Sequence, residues 1–177
     1  MSSIDLEELI TSIPDYPESG VIFKDITTLM KDPDGFAEVI DRIADHFKDA
    51  GITKVIGAEA RGFAIGAPVA YRLHAGFVPA RKPGKLPRET YSASYALEYG
   101  TDELHIHTDA LEAGDKVIIV DDLFATGGTA VAQIELVEKF GAELVGLGCL
   151  MELEFLHPRE TIAGHADVDV FSLVKVG

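Results

Sequence analysis

The segment Val117-Ile118-Ile119-Val120-Asp121-Asp122-Leu123-Phe124-Ala125-Thr126-Gly127-Gly128-Thr129 constrains this chain more than any other. Four β-branched residues in succession suit a strand buried on both faces, and such strands belong to parallel sheets covered by helices on either side. The run ends in two adjacent carboxylates, followed by a short Thr/Gly loop and the start of a helix. Ligands of open α/β sheets bind beyond the carboxyl ends of the strands, which is where these residues would lie. Gly127 and Gly128 permit close backbone approach, and Thr126 and Thr129 supply hydroxyls. With the helix N-terminus they make Ala125 to Thr129 a cradle for a monophosphate. Asp121 and Asp122 can accept hydrogen bonds from two neighbouring hydroxyls, as on a ribose, or hold a divalent cation.

Two better-known nucleotide signatures are absent. An apolar strand ending in Asp-Asp resembles a Walker B strand, but no G-x-x-x-x-G-K-[ST] accompanies it; Gly84-Lys85 is followed by Leu86 and lacks the upstream Gly. Gly146-Leu147-Gly148 leads into Cys149-Leu150-Met151 rather than a dinucleotide fingerprint.

The rest of the chain reads as alternating strands and helices. Ser3 followed by Leu6, Leu9, Ile10 and Ile13 predicts an opening amphipathic helix. Pro14, Pro17 and Gly20 then impose a loop, and Val21-Ile22-Phe23 is extended. Asp32-Pro33 starts a helix with Phe36, Val39, Ile40, Ile43 and Phe47 on one face, stopped at Gly51. Further strands are expected at 54–58, 76–79, 104–107, 116–120, 144–150 and 168–173, with helices from about 62 to 74 and 128 to 140. Residues 81–101, rich in Pro, Gly, Ser and Tyr, read as a long loop, and loops beyond roughly 12–15 residues in a compact domain are usually functional. The 177 residues suit one domain, with no repeat or linker.

Charge is unevenly distributed. The formal net charge is -15, and residues 1–50 hold twelve acids against four bases. Residues 60–88 reverse this, with Arg61, Arg72, Arg81, Lys82, Lys85 and Arg88 and no acid. Arg72 lies inside a helix and suits a surface face. The others flank turn residues, which fits a small polyanion rather than a duplex or an anionic membrane. A single cysteine, Cys149, excludes an internal disulfide and sits in an apolar run expected in the core. With no basic-then-apolar leader at the start and no stretch of about 20 apolar residues, a cytoplasmic protein is expected. His105 and His107 alternate with Leu104 and Ile106 and are read as the polar face of a half-exposed strand rather than a metal pair.

On the apolar strand, paired acids and Thr/Gly loop, the chain resembles the type I phosphoribosyltransferases. Glu59-Ala60-Arg61-Gly62-Phe63, Arg81-Lys82-Pro83-Gly84-Lys85-Leu86-Pro87, Ser94-Tyr95-Ala96-Leu97-Glu98-Tyr99-Gly100 and Phe23-Lys24-Asp25-Ile26 extend that resemblance, to the adenine-using branch of bacterial type, over nearly the whole chain. The resemblance implies an α/β fold with a central, mainly parallel twisted sheet flanked by helices, a small N-terminal hood and base-binding segment (1–30), and a flexible catalytic loop (81–101). It implies transfer of ribose 5-phosphate from 5-phosphoribosyl 1-pyrophosphate (PRPP) to N9 of adenine, giving AMP and pyrophosphate. A 6-oxopurine or xanthine enzyme and a PRPP-sensing regulator that binds nucleic acid are the alternatives; the latter would need a broad basic face.

The resemblance also assigns residues. Asp121 and Asp122 would face the ribose hydroxyls and Ala125, Thr126, Gly127, Gly128 and Thr129 would wrap the 5-phosphate. Arg61, beside a cis peptide expected at Glu59-Ala60, would bind pyrophosphate with Arg81, Lys82 and Lys85, partly across a dimer interface. A surface pairing of Arg61 with Glu59 remains open. Phe23 and Leu153 would sandwich the adenine, with backbone groups of Val21, Ile22 and Phe23 reading its polar edge; either side chain also suits ordinary core. Glu98, beside Tyr95 and Tyr99, would be the catalytic carboxylate, its pKa raised as the loop closes. Mg²⁺ is expected to arrive through PRPP and pyrophosphate rather than on a protein metal site, and a homodimer is expected. Lys24 and Phe124 stand where relatives commonly carry Arg and Leu, and Ala60 where some relatives carry Ser.

Overall fold

The computed structural model describes residues 4–97 and 99–177. The chain begins with one 3-10 turn, Glu7–Leu9, and an antiparallel hairpin of β1 (Thr11–Pro14) and β2 (Ile22–Asp25). Short α1 (Thr27–Met30) and long α2 (Pro33–Phe47) follow, then β3 (Lys54–Ala58), α3 (Arg61–Arg72) and β4 (Gly76–Ala80). A second antiparallel hairpin comprises β5 (Thr90–Ala96) and β6 (Thr101–His107). The remainder is β7 (Lys116–Phe124), α4 (Gly128–Glu138), β8 (Glu143–Leu153), α5 (Pro158–Ala163) and β9 (Asp169–Val176).

Strands β4-β3-β7-β8-β9 form one five-stranded sheet in that order, with every neighbouring pair parallel. The apolar run of β7 explains the layering, because successive side chains leave opposite faces. Val117 and Ile119 join the core beneath α4 and the β5-β6 hairpin, while Ile118 and Val120 join the core beneath α2 and α3. Both faces are therefore covered, as a continuous β-branched run requires.

Local signals place the helices. Asp32 caps α2, accepting a 2.7 Å hydrogen bond from the Gly35 amide, and Pro33 occupies the first turn. Its buried stripe of Val39, Ile40, Ile43, Ala44 and Phe47 lies on the sheet. Gly146 and Gly148 make that contact possible: a Cβ on Gly146 would lie 2.8 Å from Phe47 Cε1, and one on Gly148 3.2 Å from Ile43 Cγ2. These glycines serve helix-to-sheet packing, not phosphate binding. Arg72, at the end of α3, pairs with Asp41 of α2 at 2.8 Å, and Cys149 is fully buried.

Two expectations are corrected. The opening helix does not form; its apolar residues split between the turn and β1. A nucleus that short is unfavourable in isolation, whereas Ile13 pairs with Phe23 across the hairpin and Leu6 packs into the α2/α3 core. Residues 81–101 are not all loop either, since Thr90 to Ala96 pairs residue by residue with His107 to Thr101. Only Ser and Ala separate the strand-favouring Thr90, Tyr91 and Tyr95, and strand formation depends on its partners, here β6 and the α4 face against which Ala93 and Tyr95 pack.

Candidate active site

The carboxyl end of β7 and the start of α4 form one wall of a cleft of about 340 Å³. Its lining includes Glu59, Ala60, Arg61, Asp121, Asp122 and all of Ala125 to Thr129. Gly127 turns the chain from strand to helix at φ +92°, in the left-handed region that favours glycine. A Cβ there would also lie 3.1 Å from the Pro158 carbonyl oxygen and 3.2 Å from Thr161 Cβ, so α5 backs the loop closely. The Gly128 amide donates weakly to Thr126 Oγ1 at 3.4 Å, and the Val131 amide donates to the Gly127 carbonyl at 2.9 Å, starting α4. The first-turn amides ahead of that bond have no partner within the helix and suit an anion.

Asp121 and Asp122 are only 6% and 7% exposed. Burial, and then the neighbouring Asp122 carboxylate, push the Asp121 carboxyl well above its ordinary range. The Asp122 amide donates to Asp121 Oδ1 at 2.8 Å, and Arg61 Nε lies 3.0 Å from Asp122 Oδ2. Two adjacent carboxyls, one of them faced by an arginine, can together engage a pair of neighbouring hydroxyls. Gly62 gives Asp121 its room, since a Cβ there would come 2.9 Å from Asp121 Oδ1.

Arg61 therefore pairs with Asp122, and Glu59 has other partners. Glu59 Oε1 accepts from the Lys82 amide at 2.6 Å and from Arg81 Nε at 3.3 Å. Glu59-Ala60 is a cis peptide, as is Tyr16-Pro17. The Lys82 ammonium pairs with Asp102 and donates to Tyr95 Oη at 2.8 Å; those hydrogen bonds raise its pKa. Arg81, Lys82 and Lys85 lie outside the lining of the cleft, so Glu59 is the link from it to Arg81 and Lys82.

A second cavity, about 550 Å³, adjoins the first and shares Arg61, Asp122 and Leu123 with it. Its lining is mainly apolar and includes Val21, just before β2, Ile22 and Phe23 of β2, and Leu153 of β8. Met151, Phe155 and Leu156 also line it and were missed in the sequence, because nothing local separates them from core residues. Lys24 reaches the same cavity while donating to Ser12 Oγ at 2.8 Å. Glu98 lies outside the described residues. His105 contacts Thr90 Oγ1 and Glu103 Oε2, both at 3.0 Å, as a hairpin residue. Among the described residues no group of three or more His, Cys, Asp and Glu is placed to hold a metal, and no helix is long and apolar enough to cross a membrane.

Comparison with known proteins matches residues 25–174 to the phosphoribosyl transferase domain family. An adenine phosphoribosyltransferase of Solidesulfovibrio magneticus is 55% identical over 162 residues, covering 92% of this chain and 95% of that protein. The crystal structure of the enzyme of that name from Thermoanaerobacter pseudethanolicus superposes with a TM-score of 0.90 at 48% identity, over 97% of this chain and 98% of the other. One from Saccharomyces cerevisiae, complexed with an imino-altritol bisphosphate and adenine, gives 0.88 at 40% identity over 95% and 96%.

Proposed function

Since this chain belongs to the phosphoribosyltransferase family and catalyses the adenine reaction, forming AMP and pyrophosphate from adenine and PRPP, we propose how its own residues divide that work. The observation that carries the assignment is the junction of the two cavities at Arg61, Asp122 and Leu123. A polar cleft ending in an anion cradle meets an apolar slot there, so a sugar phosphate in one and a flat base in the other would face each other across the reacting bond.

The 5-phosphate rests on the amides and hydroxyls of Ala125 to Thr129. Asp121 and Asp122 hold the ribose hydroxyls, fixing the sugar against β7. Adenine lies between Phe23 and Leu153, with backbone groups of Val21 to Phe23 on its polar edge. Arg61 stabilises the departing pyrophosphate, with Arg81, Lys82 and Lys85 closing from the hairpin side after exchanging Glu59 and Asp102 for the anion. Charge develops on the sugar as pyrophosphate leaves, and water must be excluded at that moment because it would hydrolyse PRPP. Glu98 is the catalytic carboxylate in this scheme, receiving the N9 proton of adenine; the resemblance of its segment supports that role.

Mg²⁺ would arrive with PRPP, and the chemistry it would supply is neutralisation of charge on the pyrophosphate. Asp121 and Asp122 would meet that ion through the ribose hydroxyls and water rather than as a protein metal site. A homodimer is inferred from the resemblance. The single buried cysteine supports a reducing, cytoplasmic setting. A spectrophotometric assay of adenine, hypoxanthine, guanine and xanthine with PRPP and Mg²⁺ tests the assignment of the apolar slot. Turnover of adenine alone, weakened chiefly in KM for adenine by Phe23→Ala, is expected; an unchanged KM in that variant would remove Phe23 from the base site.

A further inference from the structure

Opposite the base cavity, on the other side of β8, lies a buried charge with no role in the chemistry described above. Glu152 is 2% exposed, flanked in sequence by Met151 and Leu153, which line the base cavity. Its carboxylate is fully engaged. Arg159 donates from Nε to Oε1 at 2.8 Å and from Nη2 to Oε2 at 2.9 Å, a two-pronged pairing, and Ser172 Oγ donates to Oε2 at 2.6 Å. Arg159 Nη1 also donates to the Val170 carbonyl at 2.9 Å. One arginine on α5 is thus tied to both β8 and β9. With the Arg159 side chain 42% and that of Glu152 2% exposed, desolvation takes back part of the attraction, so stability alone does not account for so specific a geometry and another explanation is needed.

The segment that Arg159 fixes supplies one. On its N-terminal side, Phe155 and Leu156 line the base cavity. Within α5, the Pro158 carbonyl and Thr161 abut Gly127, the left-handed residue of the phosphate loop. A single short segment therefore touches the pocket for one substrate and the cradle for the other. We propose that Glu152, Arg159 and Ser172 are positioning residues that hold residues 154–162 in place and so set the binding geometry for adenine and for PRPP together. This rests on the base-cavity and phosphate-loop assignments made above.

The test is steady-state kinetics with each substrate varied in turn, together with thermal melts, on Arg159→Met, Arg159→Lys, Ser172→Ala and Phe155→Ala. Small displacements of positioning groups cost up to ~100-fold; Arg159→Met is expected to raise KM for both substrates by on the order of tenfold, with kcat at saturation changed less. Arg159→Lys restores part of both. Ser172→Ala removes one hydrogen bond and moves both values a few-fold in the same direction, so a failure of Arg159→Met to fold leaves the idea exposed to refutation. Wild-type KM values for both substrates, with only a lowered Tm, would make the network merely structural and overturn the proposal. Phe155→Ala, outside the network, raises KM for adenine alone. An unchanged adenine KM in that variant overturns the base-cavity assignment, whereas a raised one beside unchanged Arg159→Met values overturns the network.

Discussion

Adjacent glycines in the phosphate loop give opposite expectations when each is replaced by alanine. Gly127 sits at φ +92°, where an L-residue costs about 1–2 kcal/mol. Its Cβ would lie 3.1 Å from the Pro158 carbonyl oxygen, 3.2 Å from Thr161 Cβ and 3.3 Å from Thr161 Cγ2. These are tight contacts with α5, partly backbone, and overpacking of that kind costs about 1–3 kcal/mol if nothing moves. The loop can relieve the contact only by lifting from α5, which moves its amides off the phosphate. Gly127→Ala is therefore expected to lose about 2–5 kcal/mol, divided between folding and PRPP binding. At roughly 2–4 °C of Tm per kcal/mol for a chain of this size, a melt reads the first part. Calorimetric titration with PRPP and Mg²⁺ reads the second, since each 1.4 kcal/mol is about tenfold in Kd. Gly128→Ala is the control, because a Cβ there meets nothing closer than 3.7 Å and its φ lies outside the left-handed region. It should keep the wild-type Tm, with any loss confined to PRPP binding. Equal melts for the two variants, or wild-type Tm and PRPP affinity in Gly127→Ala, would refute the reasoning.

Asp122→Asn exchanges a charge-assisted contact for a neutral one, a difference of about 1–2 kcal/mol or ~5–30-fold in PRPP Kd, and calorimetry showing wild-type affinity would refute the ribose-hydroxyl role. Glu98→Gln should lower kcat by ~10²–10⁴-fold, the usual contribution of general acid–base catalysis, with little change in PRPP affinity; unchanged turnover would end its catalytic role. Burial pushes the Glu152 carboxyl up, but hydrogen bonds from Arg159 and Ser172 outweigh it and hold it below its ordinary value. Such a group contributes stability at neutral pH that is lost as pH falls below about 4.3, through the lower folded-state value. Melts from pH 7 to 3 should show that loss, and Glu152→Gln should flatten the acid limb; parallel curves would assign it to other carboxyls.

The β-branched run of β7 dictated a strand covered on both sides, because no other arrangement buries four consecutive apolar side chains that alternate between two faces. The acids and glycines that follow were legible for the same reason: their spacing has local physical meaning at a strand end. The Asp32-Pro33 helix start was equally local. Thr90 to Ala96 was not legible, since a strand with Ser and Ala at four of its seven positions forms only when β6 and α4 are present to pair with it and pack on it. Nor could the opening apolar residues announce that they would be divided between a turn and β1.

By itself, then, the sequence determined the layered α/β plan, the anion cradle, the paired carboxylates and a basic stretch free of acids, each legible from its own local run of residues. Tertiary structure decided which basic residue faces which acid, placing Arg61 on Asp122 and Arg81 on Glu59. It brought Val21 to Phe23 beside Leu153 and Phe155, and it set α5 against Gly127 under the hold of Arg159 on Glu152. Those pairings join residues distant along the chain, and the energy that selects them comes from burial on a sheet whose strand order no local segment encodes.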